Sequence, residues 1–314
     1  MLSNTLLISG TSNRNLSEGI SRYLGIPLLD VDIVRFKDGE TFCQINENVR
    51  GRNAFIIQAT SPPANDNLME LLIIIDCLKR SSAETINVVT PYFGYARQDR
   101  KLKPRVPITA KLVANLLTVA GTNRLLTIDL HAGQIQGFFD IPVDNLFATP
   151  VLLEYIRQKQ FKEVVIVSPD AGGVERARAF SSKLDNSGLA IIDKRRLRAN
   201  VAEAMNVIGE VEGKSAIIVD DIIDTAGTMC ESVNAILKAG AKEVYACCSH
   251  GILSDPALER IGKSPLKELI ITDTIPLSEE GEKSEKITVL AVSSLIGEAI
   301  RRICENNSVS SLFV

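Results

Sequence analysis

The chain carries little excess of either charge. Its 35 Lys+Arg stand against 38 Asp+Glu, net −3, with a pI near 5.6. A nucleic-acid coat or a binder of anionic membranes needs a basic field, so the balance argues against both. A small anionic substrate remains open, because it needs only local positive charge. The six cysteines (Cys43, Cys77, Cys230, Cys247, Cys248 and Cys304) form no C-x-x-C pair, which removes the zinc ribbon and the redox motif. Cys247 and Cys248 lie in an apolar run and read as core thiols, and reduced cysteine in a chain of this size fits the cytoplasm. The longest aliphatic run, Leu71 to Ile75, is too short to cross a bilayer. Met1 to Gly10 has no basic region ahead of Leu6-Leu7-Ile8, which argues against a signal peptide. Low-complexity segments are missing, and histidine is scarce, with only His131 and His250.

What is present is an ordinary globular composition, 45% apolar and 23% charged over 314 residues. Domains run to about 100–200 residues, so two are expected. Short β-branched runs alternate with helical periodicity. Strands are expected at 6–9, 54–58, 86–89, 125–129, 164–168, 190–193, 216–220, 243–248, 269–272 and 287–291. Several are apolar throughout, as strands of a parallel sheet buried on both faces are. Helices are expected at 67–81, 108–120, 150–159, 173–184, 229–239 and 294–306. The alternation implies α/β architecture with right-handed crossovers. Pro142 to Pro150 reads as a crossover between halves, and Ser278 to Lys286 as a charged surface loop.

The strongest local signal is Ala216-Ile217-Ile218-Val219-Asp220-Asp221-Ile222-Ile223-Asp224-Thr225-Ala226-Gly227-Thr228. A buried strand runs into an acidic pair, then a small-residue loop, then a helix. The free N–H groups and positive dipole end of that helix suit a phosphate dianion. Gly227 lets the backbone come close, and Thr225 and Thr228 add hydroxyl donors. Asp220 and Asp221 can accept hydrogen bonds from vicinal sugar hydroxyls or bind hydrated Mg²⁺. A phosphate socket beside two carboxylates matches a phosphorylated ribose. An ordinary Asp or Thr helix cap explains one such residue, not three aspartates in five positions, which repel one another unless hydroxyls or cations compensate.

Ser168-Pro169-Asp170-Ala171-Gly172-Gly173 also follows a buried strand and opens a helix. Its double Gly allows a backbone nest for phosphate oxygens, and Asp170 lies at a strand end, where α/β ligands bind. Gly209 to Ser215 imitates a Walker A loop but is one residue short and precedes a strand, so it reads as a β-turn. Lys194-Arg195-Arg196-Leu197-Arg198 is either a solvated loop or a set of cations that neutralises charge in phosphoryl transfer. Arg97 to Arg105, after Tyr92-Phe93-Gly94-Tyr95, is either exposed surface or a nucleotide contact. His131, just past the strand that ends at Asp129, is a candidate for a Mg²⁺ complex.

Together these segments resemble the ribose-phosphate diphosphokinases, or PRPP synthases, of the phosphate-activated class. The resemblance runs through Phe36-Lys37-Asp38-Gly39-Glu40, Tyr95 to Arg100, Asp129 to Asp140, Ser168 to Gly173, Lys194 to Arg196, Asp220 to Thr228, and Ala299 to Arg302. It implies two tandem phosphoribosyltransferase-like domains, residues 1–147 and 148–297, each a mainly parallel sheet flanked by helices, with the tail 298–314 returning to the first. It implies attack of the 1-hydroxyl of ribose 5-phosphate on the β-phosphorus of Mg-ATP, giving PRPP and AMP. It also implies roles for individual residues. Phe36, Asp38, Gly39 and Glu40 would meet adenine from a neighbouring subunit, and Arg97 and Gln98 would hold ATP. His131 and Asp170 would anchor the Mg²⁺ complex, with Asp129, Asp140 and Asp144 as further acidic candidates. Lys194 and Arg196 would stabilise the transferring group, Arg196 also lying near the ribose phosphate. Asp220 and Asp221 would bind the ribose hydroxyls, and Asp224, Thr225, Ala226, Gly227 and Thr228 the 5-phosphate. The family's members are generally hexamers, activated by inorganic phosphate and inhibited by ADP. Here Lys37 stands where Pro is common, and Asn48 where a Ser often precedes Val-Arg in a regulatory phosphate site that includes Arg50. The alternatives are a catalytically silent regulatory subunit, disfavoured by the uninterrupted loop at Lys194, and a PRPP-consuming phosphoribosyltransferase, disfavoured by the Phe36 and His131 segments.

Overall fold

A computed structural model describes residues 2–184, 187–195 and 204–312. The chain divides into two compact units. One comprises Met1–Phe147 with Thr274–Pro276 and Ala291–Val314, the other Ala148–Asp273 with Leu277–Leu290.

The first unit is built on a five-stranded parallel sheet ordered β1-β4-β5-β6-β7. In chain order its elements are β1 (Thr5–Ser9), α1 (Arg14–Leu24), β2 (Val31–Arg35), β3 (Thr41–Ile45), β4 (Asn53–Ile57), α2 (Ala64–Arg80), β5 (Thr85–Thr90), α3 (Thr109–Ala120), β6 (Arg124–Ile128), a 3₁₀ turn at Gly133–Phe138, and β7 (Val143–Leu146). Alternate residues of the strands face opposite ways, so Leu6, Ile8, Ala54, Ile56 and Val88 share one core with α2 and α3. Helix α1 starts where the Asn13 side chain accepts from the Leu16 N–H at 3.1 Å, and ends at Gly25 in the left-handed region, φ 67°. β2 and β3 form a separate antiparallel hairpin that packs on α2.

The stretch read as a crossover between halves, Pro142 to Pro150, holds the boundary between the two units, at Phe147 and Ala148, and also contains β7, which pairs in parallel with β6. Its sequence Val143-Asp144-Asn145-Leu146 hides the strand because two polar side chains there are spent locally. Arg124 holds Asp144 at 2.5 Å, and the Asn145 Oδ1 accepts the Leu130 N–H at 3.0 Å.

The second unit carries a seven-stranded sheet ordered β10-β9-β8-β11-β12-β13-β14. Its elements are α4 (Thr149–Gln158), β8 (Val164–Ser168), α5 (Val174–Ser181), β9 (Gly188–Arg195), β10 (Ala204–Ile208), β11 (Ser215–Ile223), α6 (Gly227–Lys238), β12 (Glu243–Gly251), α7 (Ala257–Lys263), β13 (Glu268–Thr272), a one-turn α8 (Glu279–Glu282) within the charged 278–286 segment, and β14 (Ile287–Leu290). Every pairing is parallel except β9 with β10. β8 is buried at all five positions, which is why its sequence is apolar and β-branched. The imitation Walker A segment is a turn. The Lys214 N–H donates to the Val211 carbonyl at 3.1 Å and β11 begins at Ser215.

The last helix, α9 (Ser293–Cys304), belongs to the first unit and packs on α1. The Tyr23 hydroxyl donates to Glu298 at 2.9 Å across this contact. A Cβ on Gly297 would come 2.4 Å from the Tyr23 ring, so the helices approach closely only because that position has no side chain.

Candidate functional site

In the second sheet the chain leaves β8 through α5 toward β9 on one side, and leaves β11 through α6 toward β12 on the other. β8 and β11 are neighbours, with Val167 opposite Ile218. Their carboxyl ends therefore open a crevice at a topological switch point, the place where open α/β sheets bind ligands. The Asp170 loop and the Asp220–Thr228 segment both emerge there. β9 runs parallel to β8 with Ile191 opposite Ser168, so the backbone of Lys194 is carried three residues past that level at the same edge. Arg196 lies outside the described residues.

β11 runs further than its apolar sequence indicates. Asp220 and Asp221 sit within it, and the connection to α6 is only Asp224, Thr225 and Ala226. Pairing with β12 holds the strand through the acidic pair, Asp220 opposite Cys248 and Ile222 opposite His250. Ala226 caps α6 in the left-handed region, φ 56° and ψ 7°, and no side chain caps the first turn. The ordinary Asp or Thr cap is thus not what these residues provide. The leading N–H groups of a helix have no partner within it, and here the small residues Ala226 and Gly227 surround them.

The compensating cation comes from elsewhere in the fold. Arg176 on α5 places its Nη1 3.0 Å from Asp221 and 3.7 Å from Asp220. Asp221 is buried, and Asp220 keeps partial access to solvent. Burial and then the neighbouring Asp221 charge push the Asp220 carboxyl up, to about 8, against the downward pull of Arg176. Behind the pair, burial and the charge of Asp220 push the thiols of Cys247 and Cys248 well up, so both are inert core groups. Arg260 on α7 reaches the same loop, donating from Nη1 to the Thr225 carbonyl at 2.9 Å. Neither arginine carries a local sequence signal. Each sits on a helix more than 30 residues from the loop it serves.

The Asp170 loop is self-bonded. The Gly173 N–H donates to Asp170 Oδ1 at 2.9 Å, and the Ser168 hydroxyl donates to the Asp170 carbonyl at 2.6 Å. The expected double-Gly phosphate nest is therefore corrected in one respect, since the Gly173 amide is engaged internally. A Cβ on Gly173 would meet Ser168 Oγ at 2.9 Å, which gives that glycine a packing reason. The Asp170 side chain remains exposed.

In the first unit two strand-end loops meet. Tyr95 takes a left-handed φ of 64°, and Gly94 lies so close to Thr60 that a Cβ would come 2.3 Å from its carbonyl. The Gly94 N–H donates to Thr60 Oγ1 at 2.6 Å, and Thr109 Oγ1 donates to Gln98 Oε1 at 2.5 Å. The loop so fixed leaves Arg97 and Gln98 exposed. Gln134 donates to Asp99 at 2.8 Å, tying this loop to the turn that follows exposed His131. Asp129 is buried with φ 42°, and Asp140 is exposed. Asp144 is removed as an acidic candidate by its ion pair with Arg124.

Phe36 to Glu40 form the tip of the β2–β3 hairpin. The Phe36 N–H donates to the Glu40 carbonyl at 2.8 Å, the Glu40 N–H to Asp38 Oδ1 at 3.1 Å, and Gly39 turns with φ 95°. Phe36 is 50% exposed and lies against Phe42, the rings tilted by 39° with centroids 5.9 Å apart. A large aromatic at a rigid exposed tip is suited to a partner surface.

Among the described residues no group of three or more His, Cys, Asp or Glu forms a metal cage, and no helix is long and apolar enough to cross a membrane.

Residues 5–121 match the N-terminal domain of ribose phosphate pyrophosphokinase, and residues 194–314 match the phosphoribosyl synthetase-associated domain. The chain is 58% identical over 312 residues to the ribose-phosphate pyrophosphokinase of Fusobacterium nucleatum, covering 99% of this chain and 98% of that one. It is 56% identical over 307 residues to that of Bacillus caldolyticus, covering 98% and 97%. The crystal structure of phosphoribosylpyrophosphate synthetase from Mycobacterium smegmatis superposes with a TM-score of 0.92 at 40% identity, covering 97% of this chain and all of that one.

Proposed function

This chain belongs to the ribose-phosphate pyrophosphokinase family, and from that membership we propose how its residues divide the work. The enzyme transfers the diphosphate group of ATP to the 1-hydroxyl of ribose 5-phosphate, giving PRPP and AMP. The bond from O1 to the β-phosphorus forms as the bond between that phosphorus and the oxygen retained by AMP breaks, and the hydroxyl proton leaves.

Asp224 to Thr228 seat the 5-phosphate, on the free N–H groups at the start of α6. Asp220 and Asp221 take the ribose hydroxyls, oriented by Arg176. This places the anomeric hydroxyl at the crevice mouth, toward the edge where β9 carries Lys194. Lys194 and Arg196 meet the charge that develops on the transferring group. Such chemistry requires alignment and cations more than covalent help. Arg97 and Gln98 hold ATP, and Phe36, Asp38, Gly39 and Glu40 meet adenine on a neighbouring subunit. The 50% exposure of Phe36 supports a site completed by another copy, in a homo-hexamer.

Mg²⁺ fits the donor set as a hydrated ion carried by the ATP phosphates rather than as a caged one, since hard Mg²⁺ keeps several waters and takes one or two carboxylates. The exposed Asp170 carboxylate, with one oxygen fixed by the Gly173 N–H, would be such a ligand. His131 lies close in sequence to the Gln134 that holds the Arg97 loop, and would anchor the hydrated complex by hydrogen bonding. When bound, the ion would neutralise phosphate charge.

We further propose a cytoplasmic enzyme, activated by inorganic phosphate and inhibited by ADP. The single observation that carries the reading is the α6 start beside an acidic pair at the β8/β11 switch point. In the deciding assay, purified protein with Mg-ATP releases AMP only when ribose 5-phosphate is added. Release of ADP would identify an ordinary kinase instead.

A further inference from the structure

From its contacts, we infer that Arg260 is a positioning residue for the sugar phosphate, an inference that rests on Asp224 to Thr228 being the 5-phosphate socket. Arg260 Nη1 donates to the Thr225 carbonyl at 2.9 Å. The same nitrogen lies 3.2 Å from where a Cβ on Gly227 would stand, so the guanidinium rests against the first residue of α6. In a trans peptide the carbonyl and the next N–H point in opposite directions. Turning the Thr225 carbonyl toward α7 therefore turns the Ala226 N–H away from α7, at the start of a helix whose leading amides have no partner within it.

That peptide needs a restraint. Ala226 holds φ 56°, a conformation unfavourable for a non-glycine residue, which persists only when its surroundings impose it. The Arg260 bond is one such imposition, and α7 is itself fixed. Lys286 Nζ donates to the carbonyls of Ile261, Gly262 and Ser264 at 3.2, 3.0 and 2.7 Å, capping the end of the helix that carries Arg260. A charged donor on a carbonyl is a strong hydrogen bond, and it sets a positive charge beside the socket. Arg260 thus acts on the substrate through the loop, with no part assigned to ATP.

The test compares the full-length enzyme with Arg260→Met, Arg260→Lys, Arg260→Gln and, as a control for the socket, Asp224→Asn. The readouts are KM for ribose 5-phosphate, KM for Mg-ATP, kcat and a thermal melt. Arg260→Met raises KM for ribose 5-phosphate roughly tenfold or more, as loss of a charged hydrogen bond implies. It leaves KM for Mg-ATP within about twofold, the split expected of a residue that acts only on sugar binding. Arg260→Lys recovers most of the loss, because an ammonium can also donate to the carbonyl. If Arg260→Met does not fold, the rank order of Arg260→Gln, a shorter uncharged donor, below Arg260→Lys carries the comparison. An unchanged KM for ribose 5-phosphate overturns the inference, and so does a parallel rise in both KM values with Lys no better than Met. If Asp224→Asn also leaves ribose 5-phosphate binding intact, the socket itself is wrong. If Asp224→Asn weakens it and Arg260→Met does not, only the role of Arg260 is lost.

Discussion

Arg176 and Asp221 are joined at 3.0 Å beneath the switch point, with the Arg176 Nη1 also 3.7 Å from Asp220. One guanidinium thus serves two adjacent carboxylates. Its loss would leave the buried Asp221 carboxylate without this ion pair, and removing one member of such a pair is costly. Arg176→Met should therefore lower stability by on the order of 1–3 kcal/mol and raise KM for ribose 5-phosphate. Arg176→Lys, a point charge without the planar fork, should restore stability better than it restores KM. A melt paired with steady-state kinetics reads both. Equal behaviour of the Met and Lys variants would mean that the fork geometry is irrelevant.

The raised Asp220 carboxyl makes stability depend on pH in a definite direction. Unfolded, the group ionises near 4; folded, it keeps its proton up to about 8. Between those values the folded state binds more protons, so stability falls as pH rises from about 4 to about 8 and then levels. Asp220→Asn removes the group that must ionise at a cost. In the substrate-free protein its melting temperature should match wild type near pH 4 and exceed it by a margin that grows to several degrees by pH 8. The same variant should bind ribose 5-phosphate less well, a trade of function for stability. A difference that does not grow between pH 4 and pH 8 would show that Asp220 is already ionised in the folded protein.

These groups also show what a sequence can disclose. β8 was legible because burial on both faces demands an unbroken apolar run, here Val164 to Val167. The proposed socket rests on a sequence signal of that kind, acids, hydroxyls and glycine placed consecutively at one strand end. Arg176 and Arg260 were not, because a helix can deliver a cation to that loop from any distance along the chain. The β2 and β3 strands escaped notice for a different reason. Their hairpin alternates half-buried and exposed positions, the burial pattern of β2 being part-buried at Val31 and Ile33 only. Charged Asp32 and Arg35 interrupt any apolar signal there. The expectation for the Gly172-Gly173 turn failed on a hydrogen bond, since nothing in the residue order says that Asp170 will take the Gly173 amide.

The α1–α9 contact sets two effects of one methyl group against each other. Gly297→Ala improves helix propensity by about 1 kcal/mol. It also drives a Cβ to 2.4 Å from the base of the Tyr23 ring, which Glu298 and Arg301 hold in place. Overpacking of that kind costs ~1–3 kcal/mol, so the clash should win and the melting temperature should fall by a few degrees. Adding Tyr23→Ala should reverse the sign, turning Gly297→Ala into a stabilising change. Non-additivity between contacting residues is the signature of the clash, and a purely additive double variant would show that the helices are free to separate.

Lys194 carries the chemical step in the proposed division of labour, and its backbone stands at the carboxyl edge of the sheet, opposite Met205 of β10. A preorganised cation that meets developing charge lowers the barrier without tightening the ground state. Its loss therefore appears in kcat and in kcat/KM alike. Lys194→Ala should lower kcat by ~10²–10³-fold, with KM for ribose 5-phosphate and the melting temperature close to wild type. AMP release measured at saturating substrates gives the comparison directly. A rise in KM at nearly normal kcat would make Lys194 a binding residue, and the cation for the transferring group would then have to be sought elsewhere in the site.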